Sequence, residues 1–413
     1  MSLPSQLVAS RTATLPARRS VGVRVMMVVR LFYPWTGGTE RQAHKLARKL
    51  VEKGVAVELV TGWWYRGTPR RELLDNVPVY RNLTLWGFFG VKGLRKLGGY
   101  LYIATLIWYL WKRRSDYDVI HVHGLNYHTF AAVLAARLLG KRVIAKLANS
   151  GPASDIEKMR REKQLALARF MLPVALRCDR FIAINERIVQ ELTAAGVTGE
   201  KIVELPNGVE TGDVGGRSTY VLGDPARLLY VGRLHEQKGL DVLLEAFHRL
   251  RQWYSYNVCL DVVGAGPLLG ALQSQANRLG ISDSVVFWGD REDVPAYLQS
   301  ADIFILPSRA EGISNALLEA MACGLPVVVS AIPGNTDVIQ HGENGLVFPV
   351  NESDSLAGNL LLLLEQPALR RRLGEAACRT VEERYSLHRV ADRYIDLYRE
   401  LLGCATPYQA VEP

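Results

Sequence analysis

Short apolar stretches alternate with helical patterns along both halves of this 413-residue chain. Residues 25–31 form an apolar strand pattern, which the pair Gly37-Gly38 separates from a helix with one apolar face. In the second half, residues 228–231 lead through a loop into a helical pattern over residues 240–250. Such alternation is typical of parallel sheets covered by helices. The chain is too long for one ordinary domain, so the sequence predicts two α/β domains, each a doubly wound parallel sheet.

The boundaries of these domains follow from small-residue and Pro/Gly-rich stretches. Residues 1–20 are basic and contain serines, and we interpret them as a disordered tail. Two alternatives are a transit peptide and an assigned start codon that lies upstream of the true one. We expect an N-terminal domain over 21–206, a linker over 207–220, a C-terminal domain over 221–385, a last helix over 386–403 and a tail over 404–413. Ligands of paired sheets bind in the cleft at the carboxyl ends of the strands.

Two carboxylates flank a predicted helix start, Glu311 and Glu319. Ser314 is a suitable N-cap, and Gly324 is a suitable stop. The free backbone N–H groups of the first turn form a phosphate site, to which we assign the residues Gly312, Ile313, Ser314 and Asn315. Glu311 could then hold one sugar and Glu319 another, which describes a nucleotide-diphosphate-sugar. The alternative is a pair of solvated helix-end charges.

Arg233 and Lys238 lie in a loop between a strand and a helix. Arginine supplies a forked donor and lysine a point charge, a combination that holds phosphate oxygens. The alternative is a surface ion pair of Lys238 with Glu236 or Asp241. After the next strand, Gly264 and Gly266 would allow a nucleotide to approach the backbone, although two glycines alone are weak evidence.

These motifs resemble glycosyltransferase family 4, whose C-terminal domain carries an Arg-x4-Lys-Gly loop and a Glu-x7-Glu motif. The resemblance covers residues 22–403, most sharply 205–350. It implies a GT-B fold, in which two Rossmann-like domains face a central cleft, and a last helix that crosses back to the N-terminal domain. It also implies a retaining glycosyltransferase that needs no metal. Further matching motifs begin at Phe287, Tyr297, Glu319 and Gly342.

The resemblance also assigns roles within the N-terminal half. Gly37 and Gly38 would lie near the distal phosphate of the donor, and His123 would contact the donor sugar near the reacting carbon. His121 is interpreted as a packing residue, while a paired-histidine metal site is a further option that lacks a third ligand. Residues 146–151 and 332–337 depart from the usual pattern near the donor and acceptor pockets, so the sugar and the acceptor stay open.

For the mechanism, the resemblance implies that Arg233, Lys238 and the helix amides neutralise the charge on the leaving diphosphate. Glu311 would bind the donor sugar and Glu319 the ribose. Relatives lack a placed protein nucleophile, so a front-face displacement is expected. Two other functions are kept open: a non-hydrolysing sugar-nucleotide epimerase of the same architecture, and a non-catalytic, membrane-associated subunit that binds the donor.

Charge is divided unevenly between the halves. Residues 1–210 hold 33 Lys and Arg against 16 Asp and Glu, a net +17, while the remainder carries −8. The resemblance implies that the N-terminal domain binds the acceptor and the C-terminal domain the nucleotide-sugar. A basic acceptor domain suits an anionic membrane surface or a lipid-linked or polysaccharide acceptor, and no motif supports nucleic acid. The aromatic stretches at 63–66 and 86–96 are candidate membrane anchors. The apolar stretch 101–111 is too short to span a bilayer and is predicted to be a packing helix, touching lipid at one end.

Five scattered cysteines argue for a reducing compartment. The sequence therefore predicts a cytoplasmic enzyme, peripheral on the inner face of the plasma membrane, that glycosylates a hydroxyl acceptor such as a polysaccharide precursor.

Overall fold

The structure is a computed structural model that describes residues 22–34, 37–65, 67–84, 92–149, 151, 154–161, 168–211, 217–253, 257–291 and 293–404. The predicted tail over 1–20 and most of the aromatic stretch at 86–96 lie outside the described residues.

The N-terminal domain is built on an eight-stranded sheet with the order β3-β4-β2-β1-β5-β6-β7-β8. All neighbours are parallel except β3 and β4. The strands are β1 Arg24–Val29, β2 Ala56–Gly62, β3 Arg71–Leu74, β4 Val77–Asn82, β5 Val119–His123, β6 Arg142–Leu147, β7 Arg180–Ala183 and β8 Ile202–Glu204. The helices are α1 Gly38–Glu52, α2 Lys92–Lys112, α3 Tyr127–Leu139, α4 Asp155–Arg160, α5 Ala168–Ala175 and α6 Glu186–Ala194.

The C-terminal domain carries a six-stranded parallel sheet with the order β11-β10-β9-β12-β13-β14. Its strands are β9 Ala226–Val231, β10 Val258–Val263, β11 Val285–Gly289, β12 Ile303–Leu306, β13 Val327–Ser330 and β14 Leu346–Phe348. Its helices are α7 Leu240–Trp253, α8 Leu269–Arg278, α9 Val294–Ser300, α10 Asn315–Ala322, α11 Pro333–Thr336, α12 Ser353–Glu365 and α13 Pro367–Arg384. The prediction of two doubly wound parallel sheets in a GT-B fold is confirmed.

Central strands of both sheets are largely apolar because helices cover both of their faces. Residues 25–29 of β1 and the whole of β12 are buried, for example. Strand order reverses between β1 and β5 in the first sheet and between β9 and β12 in the second. Clefts that bind ligands form at such reversal points, outside the carboxyl ends of the strands. His123 ends β5, Arg233 follows β9 and Glu311 follows β12, so the topology brings three predicted site residues to these edges.

The last helix, α14 Leu387–Leu401, packs on the N-terminal domain. Its Tyr394 and Tyr398 are fully buried, and the Tyr398 hydroxyl lies 2.7 Å from Nδ1 of His121. The chain crosses between the domains twice, and the two crossings pair: the Val209 N–H donates to the Tyr385 carbonyl at 2.9 Å, and the Leu387 N–H donates to the Val209 carbonyl at 2.8 Å. The two chain segments that connect the domains, around Val209 and Ser386, are thus joined by one isolated parallel bridge and are called the hinge below.

Among the residues that the structure describes, no helix combines the length and the apolar character that crossing a bilayer requires.

Candidate active site

The N-termini of α1 and α10 face each other across the cleft. Gly37 is the N-cap of α1, and its N–H donates to the Glu40 carboxylate at 2.9 Å. A Cβ on Gly38 would lie 3.5 Å from Nδ2 of Asn315, the first residue of α10. Each helix start presents free N–H groups and the positive end of its dipole. The two domains thus contribute one half each to a single electropositive region.

Helix α10 begins as the sequence predicts, directly after Ser314. The Ser314 hydroxyl makes no capping hydrogen bond. Instead, the Asn207 side chain donates to Oδ1 of Asn315 at 3.0 Å and ties the first turn to the hinge. Sequence analysis missed Asn207, because the segment in which it lies was interpreted only as a linker.

Lys238 forms an ion pair with Glu311, and both side chains are largely buried at 14% and 16% exposure. Neither alternative partner that the sequence offered, Glu236 or Asp241, is used. Gly239 follows with a φ of +64°, and a Cβ there would lie 2.2 Å from the Pro307 carbonyl oxygen. Only glycine lets the Lys238 turn pack this closely on the segment that leads to Glu311.

Arg309 holds these two loops together. Its guanidinium forms two hydrogen bonds to Asp241, at 2.9 and 2.6 Å, and donates to the Glu236 carbonyl at 2.8 Å. Burial acts to raise the pKa of Asp241, but Arg309 outweighs it and the pKa lies below its ordinary value. Arg309 therefore positions both Lys238 and Glu311. Its sequence signal was a cation two residues before Glu311, which we did not single out.

The Arg233 side chain is exposed at the start of the same loop. The Tyr230 hydroxyl donates to the Arg233 carbonyl at 3.1 Å and fixes the backbone there. Burial, followed by the nearby Glu311 charge, raises the pKa of Tyr230, so this hydroxyl stays protonated. Tyr230 is a second positioning residue that the sequence did not reveal.

Gly264 and Gly266 serve the contact between two loops. A Cβ on Gly264 would lie 1.9 Å from the Gly232 carbonyl oxygen, and one on Gly266 would lie 2.2 Å from that of Leu234. The loop after β10 therefore presses directly on the loop after β9. This packing explains both glycines, and their contact with a nucleotide stays a prediction.

The Glu311 loop also meets the other domain. A Cβ on Gly312 would lie 3.5 Å from the Ala148 carbonyl oxygen, at the end of β6. From below, Gly334 supports the loop so closely that a Cβ would lie 2.0 Å from the Gly312 carbonyl oxygen. Next to it, Asn335 is fully buried and donates to the Ser330 carbonyl at 3.0 Å. The departure at residues 332–337 thus lies beneath the candidate sugar-binding loop.

His123 is buried at the end of β5, and neither of its ring nitrogens hydrogen-bonds to a residue that the structure describes. Its ring stacks on His121, with the centroids 4.4 Å apart. Burial, then His121 and Lys146, holds the pKa of His123 well below its ordinary value. His123 is therefore a neutral imidazole with both nitrogens available as hydrogen-bonding groups, which suits contact with sugar hydroxyls.

Lys146 lies beside His123, because these two residues are partners in the β5–β6 register. The side chain is buried, and its Nζ is 5.6 Å from the Tyr394 ring centroid. Burial lowers the pKa of Lys146 to about 7. The sequence had marked this residue only as part of a departure from the family pattern.

Two ion pairs join the N-terminal domain to the C-terminal domain and the hinge beside this site. Lys45 of α1 forms an ion pair with Glu319 of α10 at 2.7 Å, and each side chain is about one-third exposed. Arg48, one turn along α1, pairs with Glu210 of the hinge segment. The carboxylate predicted to hold a ribose is thus bound to a lysine of the opposite domain.

Comparison with known families matches both halves of the chain. Residues 36–213 match the family described as Glycosyltransferase Family 4, and residues 219–380 match the family described as Glycosyl transferases group 1. Among characterised relatives, the chain is 25% identical over 383 residues to the N-acetyl-alpha-D-glucosaminyl L-malate synthase of Bacillus anthracis, covering 90% of this chain and 96% of that protein. It is 27% identical over 399 residues to the O-antigen chain mannosyltransferase C of Escherichia coli, covering 92% and 99%.

The fold matches that of solved glycosyltransferase structures. HepE from Anabaena, solved in complex with UDP and glucose, superimposes with a TM-score of 0.72 at 21% identity, covering 92% of this chain and 99% of that one.

Proposed function

The chain belongs to the glycosyltransferases of group 1 and family 4, and from this premise we propose that it moves a sugar from a nucleotide-diphosphate-sugar to a hydroxyl acceptor with retention of the anomeric configuration. The observation that carries the proposal is the convergence of two helix N-termini with the Lys238–Glu311 pair at one edge of both sheets. A diphosphate matches the two helix starts together with Lys238, and a sugar hydroxyl matches Glu311. The relative HepE was solved with UDP and glucose, which supports the same ligand class.

In this proposal the donor diphosphate lies between the starts of α1 and α10. Arg233 and Lys238 neutralise the charge that grows on the leaving diphosphate, a stabilisation realised mainly in the transition state. These side chains and amides supply the positive charge, so the proposal includes no metal ion. Lys238 is held in place by Arg309 and Gly239, and little reorganisation is needed when the charge develops.

Glu311 accepts hydrogen bonds from donor-sugar hydroxyls, and neutral His123 binds the sugar from the opposite domain. When the donor binds, Glu319 releases Lys45 and binds the ribose instead. The acceptor oxygen forms its bond to the anomeric carbon on the face from which the diphosphate leaves. A phosphate oxygen of the donor takes the acceptor proton. Retention and this front-face route are carried over from the family resemblance.

For the acceptor, we propose a lipid-linked or cell-surface polysaccharide precursor, met at the inner face of the plasma membrane. The net +17 of residues 1–210 supports an anionic acceptor or surface. Among relatives, the mannosyltransferase of Escherichia coli is named for O-antigen chains.

Isothermal titration calorimetry against a panel of UDP-, GDP- and ADP-sugars tests the proposal, with Lys238→Ala as the comparison. We expect one donor to bind the wild type and to lose affinity in the variant. Failure of every donor to bind would contradict the proposal. Proton NMR of the product then reads the anomeric configuration. Conversion of the donor sugar without an acceptor would indicate an epimerase instead, and tight donor binding without any turnover would indicate a non-catalytic subunit.

A further inference from the structure

Helix α2 is apolar on the side that faces away from the protein. Leu97, Leu101, Ala104, Trp108 and Trp111 follow one another at spacings of three or four residues, so they share one helical face. Leu97, Trp108 and Trp111 are each more than half exposed. The opposite face is also apolar and is buried against the sheet and α3. Among the residues that the structure describes, protein therefore packs on only one of the two apolar faces of α2.

The end of α3 extends this surface. Leu138 is 80% exposed, and it borders an apolar groove between the two helices. A contiguous apolar surface of this kind marks an interaction site in a soluble protein. The groove is lined by Ala104, Ile107, Trp108, Trp111, Ala135, Leu138 and Leu139.

Cations accompany the exposed tryptophans. The Lys112 ammonium lies 5.0 Å from the Trp108 ring centroid, and the Arg114 guanidinium lies 5.0 Å from that of Trp111. Between Asp75 and Asp116 the chain has seven Lys and Arg and no acidic residue. Tryptophan beside lysine or arginine is the combination found at the boundary between lipid headgroups and acyl chains. Arg113 is paired with Glu58 and Asp116, while Lys112 and Arg114 lie over the two tryptophan rings. This excess of cations along the segment favours an anionic layer over a purely apolar partner.

The other candidate anchor does not present its aromatic rings in this way. Trp63 and Trp64, which belong to the candidate anchor at 63–66, are half-buried. The Trp63 indole N–H donates to the Thr68 carbonyl at 3.0 Å, and that of Trp64 donates to the Arg30 carbonyl at 2.6 Å. Both indoles are hydrogen-bonded within the domain, so we assign the membrane anchor to α2 instead.

We propose that this outward face of α2, together with the end of α3, docks the enzyme on an anionic lipid bilayer. The exposed apolar stripe runs from Leu97 to Trp111, about 21 Å along the helix. Because α2 precedes the parallel strand β5, it begins at the cleft edge of the sheet and ends at the opposite edge. A helix lying flat in the membrane interface would hold the cleft beside the lipid headgroups. This inference deepens the proposed function, on whose lipid-linked acceptor it rests for its purpose.

Vesicle cosedimentation tests the proposal. The full chain is mixed with vesicles of phosphatidylcholine alone or of phosphatidylcholine with phosphatidylglycerol. We expect binding to the anionic vesicles, weakened by added salt. The double variant Trp108→Ser/Trp111→Ser should bind at least about tenfold less, because both interfacial anchors are lost. The matched control is Trp253→Ser, which removes a tryptophan with 48% exposure from α7 of the other domain and should leave binding unchanged.

Three outcomes would overturn the proposal: no binding of the wild type to anionic vesicles, equal loss in Trp253→Ser, or unchanged binding of the double variant. Sedimentation velocity without lipid provides a further check, since dissociation of an oligomer by the double variant would assign the face to a second copy. Donor calorimetry on the same proteins keeps the two proposals separate. A wild type that binds the donor but not the vesicles would refute only the docking surface.

Discussion

Lys238 is the side chain on which the proposed chemistry depends most. Replacing it with alanine removes the charge that meets the leaving diphosphate and leaves Glu311 largely buried without its partner. By analogy with loss of a transition-state hydrogen-bond donor, we expect Lys238→Ala to cost at least about 3 kcal/mol in kcat/KM, roughly a hundredfold or more. Steady-state kinetics with the donor found by calorimetry measure this.

A lysine of the same type that lies away from the loop serves as the control. Lys49 pairs with Glu52 one turn along α1, and such surface pairs contribute little. Lys49→Ala should therefore keep nearly full turnover. Near-normal turnover of Lys238→Ala, with both proteins equally folded by circular dichroism, would remove the phosphate role.

Lys146 should make stability depend on pH. Its pKa is about 7 in the folded protein against an ordinary value of 10.5, so between these values the unfolded chain holds a proton that the folded protein lacks. Stability therefore rises with pH across this window. Below pH 7 the destabilisation caused by burying the Lys146 side chain reaches its full value. We expect Lys146→Met to stabilise the protein by about 1–4 kcal/mol at pH 6, with a smaller gain at pH 9.

Urea unfolding of wild type and variant at the two pH values measures the difference. Burial also holds the pKa of the neighbouring His121 and His123 well below 6.5 in the folded protein, so these groups take up protons on unfolding at pH 6. Wild type and variant both contain these histidines, so their contribution cancels in the difference between the two proteins. A gain that is the same at both values would show that Lys146 is not the titrating group.

The sequence identified most of these side chains but not their partners. Motifs placed Lys238 and Glu311 at the candidate site, yet their pairing across 73 residues depends on which strands are neighbours. Tyr230 acts through a backbone carbonyl, and Arg309 through a backbone carbonyl and the Asp241 carboxylate 68 residues away, contacts that no residue pattern encodes. The burial of Lys146 was equally hidden, because a lysine inside a short strand is ordinarily exposed.

Helix α11 packs closely under the Glu311 loop because residue 334 is a glycine. Alanine at Gly334 would place a Cβ within 2.0 Å of the Gly312 carbonyl oxygen, so the loop must move. We expect Gly334→Ala to lower the free energy of unfolding by about 1–3 kcal/mol and to reduce kcat/KM at least about tenfold. Chemical unfolding and steady-state kinetics measure the two effects.

Gly358 offers the matched control, since it lies in α12 and a Cβ there would meet no atom within 4 Å. Gly358→Ala should stabilise the protein by about 0.5–1 kcal/mol and leave turnover unchanged. Equal kinetics for the two alanine variants would show that the Glu311 loop tolerates the displacement.

Elements with strong local signals were predicted closely, and those shaped by tertiary contacts were not. Helix α10 starts and stops where its cap and Gly324 indicate. Helix α2 is longer than the apolar stretch 101–111, because it begins at Lys92 in a Gly-containing segment without a cap signal. For the whole molecule, alternating strands and helices were enough to predict two parallel sheets, since short connections leave few other topologies.

The ion pairs that join the two domains across the cleft were beyond the reach of the sequence, and they lead to a prediction for the complete molecule. Lys45 and Arg48 each pair with an acid across the cleft or hinge. Partly exposed pairs of this kind contribute up to about 1 kcal/mol each. Removing both, in Lys45→Ala/Arg48→Ala, should therefore shift the balance toward an open form by several-fold to about thirtyfold. We expect a larger radius of gyration in small-angle X-ray scattering without donor, and high salt should increase that of the wild type as well.

The control is Lys49→Ala, which alters the same helix but breaks only a pair within it and should leave the scattering unchanged. If the double variant scatters like the wild type, the hinge and α14 hold the domains closed without these two ion pairs. Glu319 would then bind the ribose in a cleft whose width does not change.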